Sequence, residues 1–457
     1  MHPKPQARRY YGEAEAQTMM FTASIKGDTE SIASDAERPT DTWERRWHWW
    51  LLAIFLLAFA LRAYAVVCYP AVPVTDAAHY HQLATDLARG RGFIYTDTGV
   101  PTAFRPIGYP AFLAGIYAVF GPDPRAAYWF QVVLGGITVL LVALLGRLIF
   151  GRREALLSGL LAAIYPGFIW LSRVLLSENL ALPLLLATLC AAALLLRAER
   201  RRFLWAAALG VLLGLGVLVR SNNSLIVALL LLGLFVSFWK RREGRRAYLS
   251  LGVVVAVLLL TLLPWEVRNY RVFHRVVPLT TNDGITLYGA YWPPRVGSKR
   301  IYGNVPGLED PAIVAASRAG DEADVSGYLR RLTLQRLREN PRYYFQLLPE
   351  KLFYMVAPVD WETFPHRPGT ERSFNVGYAL SSVLALFGFW VSIRCRVPHQ
   401  WLLWPGPISV LVQTLIFYGG PRYRLPAEPT IILLASVGVS WVLSTASRRS
   451  RRMRGRD

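Results

Sequence analysis

WHWWLLAIFLLAFALRAYAVV, residues 47–67, decides how the rest of the chain is read. It is the length that a helix rising 1.5 Å per residue needs to cross a hydrocarbon core of roughly 30 Å. It is too long, and lies too deep in the chain, for the apolar core of a secretory signal, and no small-residue cleavage site follows it. It reads as an uncleaved first transmembrane helix. Further apolar runs lie at 127–150, 155–172, 178–196, 203–219, 222–239, 248–265, 375–393, 400–418 and 429–446. The expected fold is an all-α polytopic membrane protein with about ten transmembrane helices.

Composition agrees with this. Of 457 residues 53% are hydrophobic, and the mean hydropathy is +0.30. The net charge of +21 would suggest a nucleic-acid partner in a soluble protein. Here the basic residues cluster between apolar runs, so membrane orientation explains them and no nucleic-acid partner is expected. Cys68, Cys190 and Cys395 are scattered, with neither a CxxC pair nor zinc spacing.

One set of short loops carries Arg147, Arg152 and Arg153, then Arg197 and Arg200 to Arg202, then Lys240 to Arg242 with Arg245 and Arg246, then Arg394 and Arg396. Such loops stay cytoplasmic, which makes the chain a multi-pass protein of the cell (cytoplasmic) membrane with both termini in the cytoplasm. The chain then divides into a polar, disordered tail 1–46, a transmembrane module 47–265 with a first outer loop 68–126, an outward loop domain 266–374, C-terminal helices 375–446 and a basic tail 447–457. Within the outer segments, Tyr80, Leu83, Ala84, Leu87 and Ala88 form one helical stripe suited to the membrane surface, and 325–355 is a second amphipathic stretch.

Long outer loops are where a membrane enzyme can place its chemistry. In PVTDAAHYHQLA, Asp76, His79 and Tyr80 share one helix face. Asp76 reads either as a base for an acceptor hydroxyl or as a helix N-cap. His79 and His81 point to different faces, which argues against a metal pair. Arg105 in TAFRPIGYP reads as a phosphate ligand or an interfacial anchor. Glu178 in YPGFIWLSRVLLSENL reads as a functional acid partnered by Arg173, or as a favourable charge at a helix start. Arg220, Arg422 and Arg424 stand in outward turns against the positive-inside pattern, as phosphate ligands or as snorkelling side chains. Nucleotide-binding, zinc-protease and serine-hydrolase motifs are all missing from the sequence.

The order of these stretches resembles the bacterial GT-C membrane glycosyltransferases of the protein-mannosyltransferase and aminoarabinose-transferase type, glycosyltransferase family 39-like. The matching stretches are Asp76 to Leu87, FRPIGYPAFLA, YPGFIWLSRVLLSENL, PWEVRNYRVF followed by TTNDG, and GGPRYRLPAEP, which together span 47–446. The resemblance implies a GT-C-like fold, a sugar donor on a polyprenyl phosphate, transfer outside the membrane and inversion at the anomeric carbon. The acceptor is left open among lipid, glycan and protein. In one departure, Asp76 is followed by Ala77 where family members often carry a second acid, which counts against a metal-assisted version. No cofactor is otherwise required, and a divalent metal stays open.

On this reading Asp76 is the base, with Glu178 shaping the acceptor side. Arg105, Arg220, Arg422 and Arg424 clamp the donor phosphate, while His79, Tyr80 and Arg173 are further candidates. A lipid-linked oligosaccharide polymerase or ligase is the near rival, and would concentrate its arginines in one late loop. A transporter or flippase is the distant one, and would carry repeats and polar, broken helices at the midplane. Cysteines introduced at 241–246 are expected to react with impermeant maleimide only after the cytoplasmic face is opened; labelling in intact cells would overturn this topology.

Overall fold

In the computed structural model, residues 41–292, 310–318, 320–358 and 375–454 are described, and no strand occurs among them beyond one isolated bridge between Ile94 and Pro101. The expected N-terminal tail lies mostly outside these residues, whereas the last helix runs on to Arg454 through most of the expected basic tail. Helix α1 (Asp41–Cys68) starts a few residues before the apolar run proper. The first outer segment holds α2 (Asp76–Ala88) and α3 (Gly108–Phe120). The bundle continues with α4 (Pro124–Ile149), α5 (Arg152–Ile164), α6 (Pro166–Leu171), α7 (Glu178–Leu195), α8 (Arg202–Val219), α9 (Ser224–Lys240) and α10 (Arg245–Phe273). The second outer segment holds α11 (Asp283–Ala290), α12 (Pro311–Ser317), α13 (Glu322–Glu339) and α14 (Pro341–Val356). Helices α15 (Val376–Arg394), α16 (Pro405–Ile416) and α17 (Glu428–Arg454) complete the chain.

Among the described residues eight helices are long and apolar enough to cross a membrane, against about ten runs in the sequence. The two that fall short are interrupted. The run 155–172 divides at Tyr165–Pro166, and the run 400–418 becomes a 3-10 turn, Gln400–Leu403, followed by α16 from Pro405. Proline cannot donate its backbone N–H and disfavours helical geometry in the residue before it, so both breaks fall where the sequence places one. By contrast α10, at 29 residues, spans about 43 Å and outruns the hydrocarbon core. Its far end carries Glu266, Arg268 and Asn269 out to the polar segments.

Close backbone approach holds the bundle together, as expected where lipid supplies no hydrophobic drive between helices. A Cβ on Gly210 would lie 2.7 Å from the Val254 carbonyl oxygen, and one on Gly214 would lie 2.6 Å from Thr261, so the GxxxG face of α8 packs directly on α10. The outward faces stay apolar, with Leu56, Leu260 and Leu386 more than half exposed.

Arg62 is fully buried inside α1. Its guanidinium donates to the carbonyls of Ala58 at 2.9 Å, Ala163 at 3.2 Å and Ala162 at 3.3 Å. The last two belong to the end of α5, where carbonyls lose their helical partners and the helix dipole is negative. Arg62 thus closes the helix end that Pro166 opens.

The stripe on α2 meets protein rather than lipid. Ala77, Tyr80 and Ala84 bury against Tyr109 and Leu113 of α3. That neighbour explains why the stripe does not lie on the membrane: α3 is itself apolar and covers it. α14 does leave Phe345, Phe353 and Val356 exposed, as an interfacial helix would.

Candidate functional site

Asp76 and Glu178 each open a helix, but neither side chain is spent on capping. Thr75 precedes Asp76 with φ 49° and makes no side-chain cap, an uncommon backbone for a β-branched residue. The Asp76 carboxylate instead accepts from two arginines, from Arg105 Nη2 at Oδ1 and from Arg422 Nη1 at Oδ2, the latter at 2.5 Å. Glu178 is only 3% exposed, and its Oε1 accepts from Arg422 Nε and Arg220 Nη1, both at 2.5 Å. Ser177 Oγ donates to Glu178 Oε2 at 3.2 Å. The result is a continuous ion-pair chain, Arg105–Asp76–Arg422–Glu178–Arg220. Arg422 sits at its centre and bonds both acids.

Three guanidiniums against two carboxylates leave one positive charge. Burial alone would raise the Asp76 carboxyl, but Arg422 and Arg105 prevail and hold it well below the usual carboxylate range. Asp76 is therefore a weak base as long as both arginines stay on it.

Sequence neighbours at the last motif diverge. Arg424 points away from Arg422 into a buried pair with Glu428 at 3.0 Å, donates to the Ala357 carbonyl at 2.5 Å, and lies 3.5 Å over the Tyr378 ring. It joins α17 to the base of the second outer segment and stands apart from the chain of ion pairs. Arg173, expected to partner Glu178, lies 3.3 Å over the Trp170 ring, and Glu178 pairs with Arg220 and Arg422. Tyr80 is buried edge-on against Tyr109 with the Arg105 guanidinium above it.

His79 Nδ1 accepts from Arg105 Nε at 3.4 Å, and its ring stacks on Tyr95. His81 faces the other way and meets the Tyr117 hydroxyl at 2.9 Å. Burial first, then the neighbouring Arg105, lowers the His79 imidazole to about 4, against the opposing pull of Asp76.

A further set of residues holds the loop that carries Arg105. Arg268 donates to the carbonyls of Thr102 at 2.7 Å and Phe93 at 2.9 Å. Thr281 N donates to the Ala103 carbonyl at 3.0 Å, and Glu322 accepts from Ala103 N at 3.4 Å and from the Thr281 hydroxyl. Burial pushes Glu322 up, against the hydrogen bonds that it accepts. Arg268 and Thr281 fall inside PWEVRNYRVF and TTNDG, so motif order pointed to their neighbourhood. Glu322 carried no signal at all.

The donors and acceptors at this site suit an anion rather than a cation. Both acids are already bonded to Arg422, and among the described residues no group of three His, Cys, Asp or Glu is placed to hold a metal ion.

Comparison with known proteins places this architecture. As a fold it is GT-C-like: the apo oligosaccharyltransferase of Archaeoglobus fulgidus superimposes with a TM-score of 0.55 at 14% identity, covering 89% of this chain and 52% of that one. This chain therefore spans about half the length of that enzyme. ArnT from Cupriavidus metallidurans, in its complex with undecaprenyl phosphate, gives a TM-score of 0.37 at 13% identity, over 88% of this chain and 77% of that one. Residues 104–265, about a third of the chain, match the family model described as dolichyl-phosphate-mannose-protein mannosyltransferase. No curated protein matches by sequence. The resemblance drawn from the motifs is thus met in the GT-C-like fold and in the family match of its central part.

The lowered His79 imidazole makes a prediction with a definite sign. The unfolded chain binds a proton near pH 6.5 and the folded one only near pH 4, so folding stability is lost as pH falls through that window. The thermal midpoint of the wild type should drop from pH 7 to pH 4 more steeply than that of His79→Phe. Parallel profiles would show that burial and Arg105 leave the ring unperturbed.

Proposed function

We propose that this protein is a membrane glycosyltransferase that moves a sugar from a polyprenyl-phosphate donor to an acceptor hydroxyl on the outer face of the cytoplasmic membrane, with inversion. The observation that carries the reading is the Arg105–Asp76–Arg422–Glu178–Arg220 chain, with its single surplus positive charge. A sugar phosphodiester carries one negative charge, which this surplus neutralises. The match of residues 104–265 to a mannosyltransferase model whose description names a dolichyl-phosphate sugar supports the same donor class.

The geometry supports a sequence of events. A donor phosphate seated at Arg422 and Arg220 competes with the carboxylates for those guanidiniums. As Arg422 turns to the phosphate, Asp76 loses one of its two cationic partners and its proton affinity rises. The base is thereby armed by the arrival of the donor. The acceptor O–H gives its proton to Asp76 while its oxygen forms the bond to the anomeric carbon from the face opposite the phosphate. The bond from that carbon to the phosphate oxygen breaks, and its electron pair leaves with the phosphate. The growing charge on that oxygen falls to Arg422 and Arg220, and arginine can meet it with two parallel hydrogen bonds. Glu178 keeps both guanidiniums aimed at this position.

Two variants test the roles. Asp76→Asn should cut transfer by about 10²–10⁴-fold with near-normal yield of folded protein, because the amide keeps the shape and loses the base. Retained transfer would remove Asp76 from the chemistry.

Arg422→Lys should lower transfer by about 10²–10³-fold and weaken binding of a polyprenyl-phosphate sugar, since lysine cannot bridge two acids and a phosphate. Arg424→Lys serves as the control: it should reduce thermal stability and leave donor affinity near that of the wild type. Equal donor affinity in Arg422→Lys and the wild type would sink the phosphate clamp.

A further inference from the structure

The ion-pair chain has two unlike ends. At one end Glu178 pairs with Arg220 and accepts from the Ser177 hydroxyl. At the other, Arg105 passes into a group of rings. Its Nε reaches His79 Nδ1 at 3.4 Å, and its guanidinium lies 5.2 Å over Phe104. The His79 imidazole lies nearly parallel to Tyr95, at 5.9 Å and 11°, and is tilted by 38° to Phe104 at 5.8 Å. His79, Tyr95 and Phe104 are all half-buried, so the rings form a wall with an open side.

His79 brings one polar group to this wall. Because Nδ1 accepts from Arg105, the neutral ring carries its proton on Nε2. That N–H is buried and has no partner among the described residues. A shielded donor left unpaired is costly, so a ligand oxygen that reaches it gains what the free protein forgoes.

We propose that His79, Tyr95 and Phe104 form the acceptor subsite, and that the acceptor is a saccharide whose hydroxyl oxygen takes the His79 Nε2–H. This rests on the glycosyltransferase reading above. Position argues for it: Asp76 stands between the phosphate-binding arginines and the rings, as a base must stand between leaving group and nucleophile. Chemistry argues for it as well. Neutral rings with one or two placed donors match the apolar face and hydroxyl rim of a sugar, and such a mixture of aromatic wall and sparse polar groups is how small-ligand sites are built. A peptide acceptor would ask for a free strand edge to bind its backbone, and the segment beside these rings offers only the Ile94–Pro101 bridge, already paired. A glycolipid and a free glycan present the same saccharide chemistry, and the subsite would take either.

The test uses the full chain in lipid nanodiscs. Methyl glycosides of common hexoses and N-acetylhexosamines are screened by saturation-transfer NMR, and undecaprenyl phosphate binding is measured separately. At least one glycoside should bind. His79→Phe, which keeps the ring and removes the donor, should weaken it by about tenfold or more. Tyr95→Ala should abolish it, and undecaprenyl phosphate should bind both variants as it binds the wild type. His79→Gln, which keeps an N–H, should fall between the wild type and His79→Phe and guards against a folding defect in the latter. Three results would overturn the proposal: no glycoside binds, binding is indifferent to His79 and Tyr95, or Ser/Thr peptides bind in a His79-dependent way. Failure of the wild type to bind undecaprenyl phosphate, with glycoside binding intact, would count against the donor reading and leave the saccharide subsite standing.

Discussion

A guanidinium and two carboxylates set beside a membrane must neutralise one another or leave charge stranded in a poor solvent. Arg422 answers that constraint for both acids of the site. Its Nη1 bonds Asp76, which lies 346 positions earlier in the chain, and its Nε bonds Glu178, 244 positions earlier. Arg422 therefore joins the turn before α17 to the first outer loop and the start of α7, and Glu178 passes the link on to Arg220 at the end of α8. Such a buried network is weak evidence for stability, because desolvation offsets much of the Coulomb gain. Its better-attested worth is specificity: helices whose apolar surfaces could slide against lipid or each other gain one register that satisfies every charge.

Much of this was legible in the sequence, and the failures have physical causes. Run length is a local property, so eight spans and their order could be read directly, while the runs 155–172 and 400–418 are divided at Pro166 and before Pro405. Asp76, Glu178, Arg105, Arg220 and Arg422 stood out because charge near an apolar run is costly and calls for a reason. What could not be read was direction. Arg422 and Arg424 sit two apart in a tight turn, and only tertiary packing sends one to Asp76 and the other to Glu428. Arg173 lies nearer to Glu178 in sequence than either true partner, yet stacks on Trp170. The apolar stripe of α2 identified a helix but could not say whether lipid or α3 would cover it.

The second outer segment matters for a reason that its own sequence hides. It holds the backbone of residues 93–103 through Arg268, Thr281 and Glu322. Arg105 follows that clasped stretch by two residues, so its aim is set from a part of the chain more than 160 residues away. A loop that carries function on a span-rich scaffold needs such external bracing, because no sheet or helix of its own fixes it.

Arg62 has a consequence for how the protein is made. Its carbonyl partners Ala162 and Ala163 are about a hundred residues downstream, so the first helix leaves the ribosome long before its charge can be satisfied. An arginine within a span opposes insertion by about 2.5–3.5 kcal/mol at the bilayer centre. The Leu, Ile, Phe and Val residues of the same run, each favouring insertion by about 0.3–0.6 kcal/mol, offset that cost, so the first span can enter alone and gains its carbonyl partners when α5 arrives. The proline break that exposes the α5 carbonyls then sets where the first span comes to rest.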